Sequence, residues 1–300
     1  MCVLREERGS HKVPYSLETE SAWIEDPVSF WLRACSPFCC YSGSFRLNRH
    51  ATIETICFQR SLDVPMQIPI LYEDNHLLVI EKPVNVPVQE DRSGDEDVLT
   101  LLKNDLKIRY NKPGNVYLGL IHRLDRPVGG AMVFAKTSKA ASRLSDALRR
   151  QAIKRVYLAI VRGKPKRPKG KLVHYLIKNS RENKVYAVPA TRKGAKQAVL
   201  SYETLESTGG FSLIAVQLHT GRPHQIRVQF SEIGCPLYGD QKYGTGYNKA
   251  GQQIALWAHT LEFQHPVTKT EVEVESCPPG RFPWSLWNGA FGKEPACQQT

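Results

Sequence analysis

Coherent hydrophobic patterning begins at residue 66, and apolar runs and amphipathic stretches alternate from there. Residues 76–81 form a short apolar run closed by Lys82-Pro83, the signature of a strand with a hard stop. Val98, Leu101, Leu102 and Leu106 share one helical face, and Asp95 or Asp97 is placed to cap that helix. Residues 117–121 and 132–135 read as strands. Residues 138–150 predict a helix with Ala141, Leu144 and Leu148 inward and Arg143, Arg149 and Arg150 outward. A long strand over 153–161 leads into a basic, proline-stiffened loop at 164–171, and strands follow at 172–177, 184–188, 199–205 and 211–219. Thr208-Gly209-Gly210 is the hairpin turn joining the last two. Residues 223–233 predict a helix with Pro223 near its first position, Gly234 as its cap, and Ile226, Phe230 and Ile233 on its apolar side. Strands at 254–263 and 272–275 complete the pattern. Hairpin-length links between successive strands favour an α+β fold with a largely antiparallel sheet over a doubly wound one.

Residues 1–65 lack this order, with no sustained period and with scattered Pro, Trp and Cys. Met66, the first Met after Met1, stands directly before the patterned region. The expected organisation is a poorly ordered or non-native extension over 1–65, one domain over 66–290 and a tail over 291–300. Cys35, Cys39 and Cys40 have no second Cys/His pair at zinc spacing, so no metal is expected.

Composition narrows the class. The 300 residues are 41% hydrophobic, enough for a real core, and no stretch approaches the roughly 18 apolar residues of a membrane helix. The net charge is +12, but residues 1–65 carry 7 Lys+Arg against 8 Asp+Glu, so the remainder carries 34 against 21. A basic domain of this kind suits a polyanion, nucleic acid before membrane. Five of the eight cysteines precede residue 66, and the Cys-poor remainder reads as an enzyme of a reducing, cytoplasmic compartment.

Three segments carry candidate chemistry. In Ile121-His122-Arg123-Leu124-Asp125-Arg126-Pro127-Val128-Gly129-Gly130 one acid stands among two arginines and a histidine, between apolar runs. Fixed positive charge can keep such a carboxylate ionised, oriented and partly dry, as a nucleophile requires; a turn-capping or ion-paired Asp would look the same locally. In Thr220-Gly221-Arg222-Pro223-His224-Gln225-Ile226-Arg227 a strand gives way to a helix start rich in cations, suited to phosphate or to pairing Arg227 with a buried carboxylate while Arg222 and His224 face substrate. In Lys154-Arg155-Val156-Tyr157-Leu158-Ala159, Tyr157 shares a strand face with Arg155, an arrangement suited to base stacking and equally to a core Tyr.

Each motif alone is common. Their ordered set, with Tyr72-Glu73-Asp74-Asn75-His76-Leu77, Glu81-Lys82-Pro83 and Gly234-Cys235-Pro236-Leu237-Tyr238-Gly239-Asp240 before Tyr243-Gly244, resembles the RluA-type RNA pseudouridine synthases over about two-thirds of the chain. The resemblance implies the pseudouridine synthase fold, a bent, mostly antiparallel mixed sheet with flanking helices and an RNA cleft across its middle, making 66–290 the catalytic domain, and isomerisation of uridine to pseudouridine. It implies Asp125 as the nucleophile, Tyr157 as the stacking residue that also bears on the proton at uracil carbon 5, and Arg227 as the partner of the catalytic Asp. Ile226 matches the apolar residue under the base and Arg123 the residue supporting RNA after base flipping. His122, Arg222, His224 and Gln225 complete the expected substrate-binding set. No redox step occurs and no water is added, so no cofactor is expected. A monomer acting on large-subunit ribosomal RNA first, or transfer RNA second, is the expectation by family analogy.

Two departures from the family pattern stand out. Pro127-Val128-Gly129-Gly130 replaces a Thr-Ser-Gly ending, and Asn85 takes a position where Gly is common; Asn tolerates the left-handed backbone such a turn needs. The small helical RNA-binding domain that often precedes this catalytic domain is not recognisable in residues 1–65. Target selection would then rest on the catalytic domain, through residues 164–171 and Arg143, Arg149 and Arg150. Two other classes fit the composition. A non-catalytic RNA-binding module would favour a lost nucleophile, whereas Asp125 is present. A small-molecule glycosidase would want a second carboxylate, for which Asp240 is the nearest candidate in the motif set.

Overall fold

The computed structural model describes residues 67–287; the readings made for residues 1–65, for Met66 and for the 291–300 tail lie outside the described residues. The strands are β1 (Ile70–Glu73), β2 (Leu77–Lys82), β3 (Gly119–Leu120), β4 (Gly129–Ala135), β5 (Lys154–Arg162), β6 (Lys169–Asn179), β7 (Lys184–Val188), β8 (Lys196–Thr208), β9 (Phe211–Leu218), β10 (Leu256–Gln264) and β11 (Glu271–Glu275). The helices are α1 (Val98–Arg109), α2 (Ser138–Arg149) and α3 (Gln225–Glu232). The strands form one mixed sheet in the order β1-β2-β4-β10-β5-β9-β8-β6-β7, with β11 beside β10 and β3 beside β4. β10 pairs in parallel with β4 and every other ladder is antiparallel.

The period-two alternation of the strands builds two cores. Leu78 and Ile80 of β2 join Met132, Phe134, Tyr157, Val216 and the apolar sides of α1 and α3 on one face. Leu77 and Val79 join Ala131, Val133 and Leu144 of α2 on the other, and Leu158 and Ile160 pack there against Trp257 and the 3-10 turn Trp284–Trp287. Asp97, not Asp95, caps α1 by accepting from Thr100 N at 3.0 Å, and Thr137 caps α2. Asp95 instead pairs with Arg126.

Several boundaries differ from expectation, each for a local reason. The strand expected over 117–121 shrinks to β3, where Gly119 lets α2 approach so closely that a Cβ would lie 2.9 Å from the Ala141 methyl. Lys169 to Lys171 leave the basic loop and open β6. The helix expected from Pro223 starts at Gln225, because His224 before it adopts a left-handed backbone at φ 50°. β1 and the Trp284–Trp287 turn were absent from the expected elements. Asn85 does take the left-handed conformation, at φ 65°. The two glycines ending the Asp125 motif serve the parallel junction. Gly129 and Gly130 sit opposite Trp257 and Ala258, and a Cβ on Gly130 would fall 2.2 Å from the Ala258 carbonyl oxygen. No helix among the described residues is long and apolar enough to cross a membrane.

Candidate active site

Asp125 lies on the loop between β3 and β4, and that loop is fixed from beneath. Lys82, at the end of β2, is fully buried, and its ammonium donates to the carbonyls of Pro83, Arg126 and Val128 at 2.8, 3.0 and 2.9 Å. Two of these carbonyls follow Asp125 within three residues, so a buried cation holds the backbone just after the acid. Burial pushes Lys82 down to about 7, opposed by the Asp125 carboxylate and reinforced by Arg126. From above, Arg126 reaches over the turn that follows β2, donating to Asn85 O and Ser93 Oγ at 3.0 Å and pairing with Asp95. The Asn85 N–H returns a bond to Arg126 O at 2.8 Å.

Arg227 of α3 points at Asp125. Its Nη1 lies 3.1 Å from Asp125 Oδ2, while Nε and Nη2 each make a 2.8 Å bond to the two oxygens of Asp240. Asp240 is buried and also accepts from the N–H groups of Lys242 and Tyr243 at 2.9 and 3.1 Å. A fork-to-fork pair of this kind fixes the guanidinium plane and leaves its remaining edge for Asp125. Burial opposes the Arg227 charge, yet the two carboxylates more than offset it and hold Arg227 above its ordinary value. For Asp240, burial pushes upward and Arg227 with the two N–H groups wins, leaving the carboxyl below its usual range. Asp125 keeps about a quarter of its side chain exposed, whereas Asp240 is sealed. Of the two acids, Asp125 is thus the one a substrate can reach.

Tyr157, on the central strand β5, is buried in the same cluster as Leu124, Val128 and Ile226. Burial raises its hydroxyl above the ordinary value; Arg155 opposes and Asp125 adds to the shift. The ring therefore stays neutral beside an acid, with Ile226 packed nearby. Arg155, two residues earlier on the same strand face, is buried too, and a Cβ on Gly221 would lie 3.1 Å from its Nη1.

Other expected contacts divide. Arg123 is exposed on the Asp125 loop, and Arg222 is half-buried, its Nε donating to Gln197 O at 2.9 Å. His224 lies half-buried within electrostatic reach of Asp125 and Arg227. Two residues expected to bind substrate instead serve the scaffold. His122 is buried, its Nε2 accepting from Val133 N on β4 at 3.3 Å, and burial with the nearby Arg155 charge drives it down to about 3. Gln225 is buried as well: its Oε1 accepts from Thr220 Oγ1 and Arg222 N, and its Nε2 donates to Val199 O at 3.1 Å, tying the loop to β8. Asp240 and Lys82 were missing from the expected site, although both lie within quoted motifs.

A family model described as RNA pseudouridylate synthase matches residues 76–232, a span that contains Asp125, Tyr157 and Arg227. The chain belongs to the RNA pseudouridylate synthase family. The synthase is 36% identical over 235 residues to the ribosomal large subunit pseudouridine synthase D of Pseudomonas aeruginosa, covering 74% of this chain and 71% of that one. It is 30% identical over 283 residues to the RNA pseudouridine synthase YlyB of Bacillus subtilis, covering 90% and 91%. Among solved structures, the human RNA pseudouridylate synthase domain containing 4 superposes with a TM-score of 0.59 at 26% identity, over 70% of this chain and 88% of that one. The synthase is thus an isomerase of RNA uridine with the α+β fold expected from its sequence.

Proposed function

We propose that this synthase acts on large-subunit ribosomal RNA and that Asp125 is its nucleophile. The observation that carries the second part is the Asp240–Arg227–Asp125 chain. It spends one carboxylate on orienting a guanidinium and leaves the other, partly exposed, oriented by that guanidinium. The ribosomal assignment rests on similarity to synthases whose names carry that substrate.

The chemistry follows from the substrate. Uracil within a stack cannot be reattached through another atom, so the nucleotide is extruded at a cost of a few kcal/mol, which basic contacts to the RNA backbone offset. The bond between ribose carbon 1′ and uracil N1 breaks, the base turns in place, carbon 5 bonds to carbon 1′, and the carbon 5 proton leaves while N1 gains one. Asp125 assists either by attacking the sugar or by drawing off a sugar proton. Tyr157 and Ile226 hold the base during its turn, and the neutral Tyr157 hydroxyl serves the carbon 5 proton as a relay, accepting it while passing its own proton to the freed Asp125 carboxylate.

The test uses RNA from a strain lacking the gene, complemented with wild type or with Asp125→Asn. Carbodiimide-dependent primer-extension stops should return in large-subunit ribosomal RNA with wild type and stay absent with the variant, while filter binding of the same RNA persists. Stops restored by Asp125→Asn would refute the nucleophile. Stops restored in transfer RNA instead would refute the substrate.

A further inference from the structure

We infer that Tyr243 sets the tautomer of His224 and so makes His224 a hydrogen-bond donor to an acceptor oxygen of the bound nucleotide. The inference rests on the synthase reading and adds two residues with defined roles. Tyr243 lies on the turn after Asp240 and has three anchors. Its N–H is held by Asp240 Oδ1 at 3.1 Å, its ring lies 5.3 Å beneath the Arg227 guanidinium, and its hydroxyl oxygen accepts from Val185 N of β7 at 2.8 Å. The chain that orients Asp125 therefore also orients this ring.

The hydroxyl lies 2.7 Å from His224 Nδ1. A phenol has one proton to donate. Its oxygen accepts from the Val185 N–H, and among the described contacts of the hydroxyl the only acceptor for its proton is Nδ1, so the short contact is filled by the phenol proton. Which nitrogen of an imidazole carries the proton is decided by the bond the other one makes. His224 is then protonated on Nε2. Burial keeps Tyr243 a phenol, up at about 12. Burial, with Arg227 and Lys242 adding and Asp125 and Asp240 opposing, keeps His224 neutral below its ordinary value.

The backbone supports a functional reading. His224 occupies the left-handed region at φ 50° directly before α3 and makes no capping bond with its side chain. That conformation is uncommon outside glycine and persists where surrounding structure imposes it. Here Gln225 is tied to β8 and the ring is bonded to Tyr243, and the outcome is a half-buried imidazole held within electrostatic reach of Asp125. The nucleotide that meets Asp125 offers uracil carbonyls, ribose hydroxyls and phosphate oxygens, all acceptors. His224 is the binding group; Tyr243 is a positioning residue acting through it.

The test combines ring nitrogen NMR of the full chain with single-turnover tritium release from total RNA labelled with [5-3H]uridine in a strain lacking the gene. In wild type at pH 7.5, His224 should show a protonated Nε2 and a bare Nδ1. Tyr243→Phe should shift the ring toward the other tautomer and slow release by about tenfold or more, the scale on which partners of an oriented histidine act. His224→Gln places an amide N–H near the Nε2 position, so it should retain more activity than His224→Leu. Adding Tyr243→Phe to His224→Gln should cost nothing further, since no tautomer remains to be set. Tyr243→Phe with wild-type rate and tautomer, or a full independent loss in the double variant, would overturn the inference. Wild-type protein that releases no tritium would overturn the activity itself. Wild-type protein that releases tritium with His224 protonated on Nδ1 would overturn this inference alone.

Discussion

Replacing Lys82 by Met isolates what the buried ammonium contributes. Met matches the length of the side chain and removes both the charge and the three donors. Three bonds from a charged donor contribute at least about 1.5 kcal/mol each. The Arg126 carbonyl keeps its bond from Asn85 N, whereas those of Pro83 and Val128 lose the ammonium. Removing a buried charge returns part of the loss, leaving a net destabilisation on the order of 3 kcal/mol. For a domain of this size that lowers the melting temperature by roughly 6–12 °C. The pH dependence is the sharper prediction. In the fold Lys82 sits at about 7, against 10.5 for an ordinary lysine, so between those values the unfolded chain binds more protons than the native one. Stability from this group therefore rises with pH across that window, and below about 7 the full cost of the buried charge is present. The variant has no such term. Urea unfolding at pH 6 and pH 9 should show the gap between wild type and Lys82→Met widening at the higher pH. A gap that stays the same at both pH values would mean that the carbonyl cage holds Lys82 at or above its ordinary value rather than burial lowering it, and the reasoning would be wrong.

Asp240→Asn leaves Arg227 a buried cation with one partially exposed partner; it should cost about 3–5 kcal/mol and slow tritium release although Asp125 is untouched, which thermal melts and single-turnover rates on the surviving fold can separate. Gly130→Ala forces a Cβ into the Ala258 carbonyl at a φ of +113°, so it should part β4 from β10; unfolding at the wild-type urea midpoint would contradict the close approach. His122 sits at about 3 in the fold against 6.5 ordinarily, so stability should fall as pH drops through 6.5; between pH 7 and 5 the loss is about 2 kcal/mol, and calorimetric melts should show a flatter acid limb in His122→Gln.

The fold class was legible because strand alternation and helical spacing are local signals. The apolar run at 76–81 and the long stretch at 153–161 stood out as strands, and Asp125, Tyr157 and Arg227 stand in motifs that the fold brings to one region. What the sequence hid was direction. His122 and Gln225 are polar and adjacent to the chemistry, yet one turns to the backbone of β4 and the other to that of β8. Proximity in sequence says nothing about which way a ring or an amide faces. Asp240 and Lys82 were hidden for the complementary reason: each finds its partners across loops that only the assembled sheet brings together. The start of α3 misled because Pro223 satisfies the usual preference at a first helical position, while the left-handed His224 behind it delays the helix.

The parallel junction also bears on when the enzyme exists during its own synthesis. β10 is wedged between β4, which follows the Asp125 loop, and β5, which carries Tyr157, so those two strands never pair directly. A nascent chain translated through Tyr243 already contains every residue assigned to the site but lacks the strand that spaces them. Activity therefore waits for Gln264 to clear the ribosome and for a contact between residues more than a hundred positions apart, the kind of pairing that forms slowly. A strand made late in the domain is the part that turns it on.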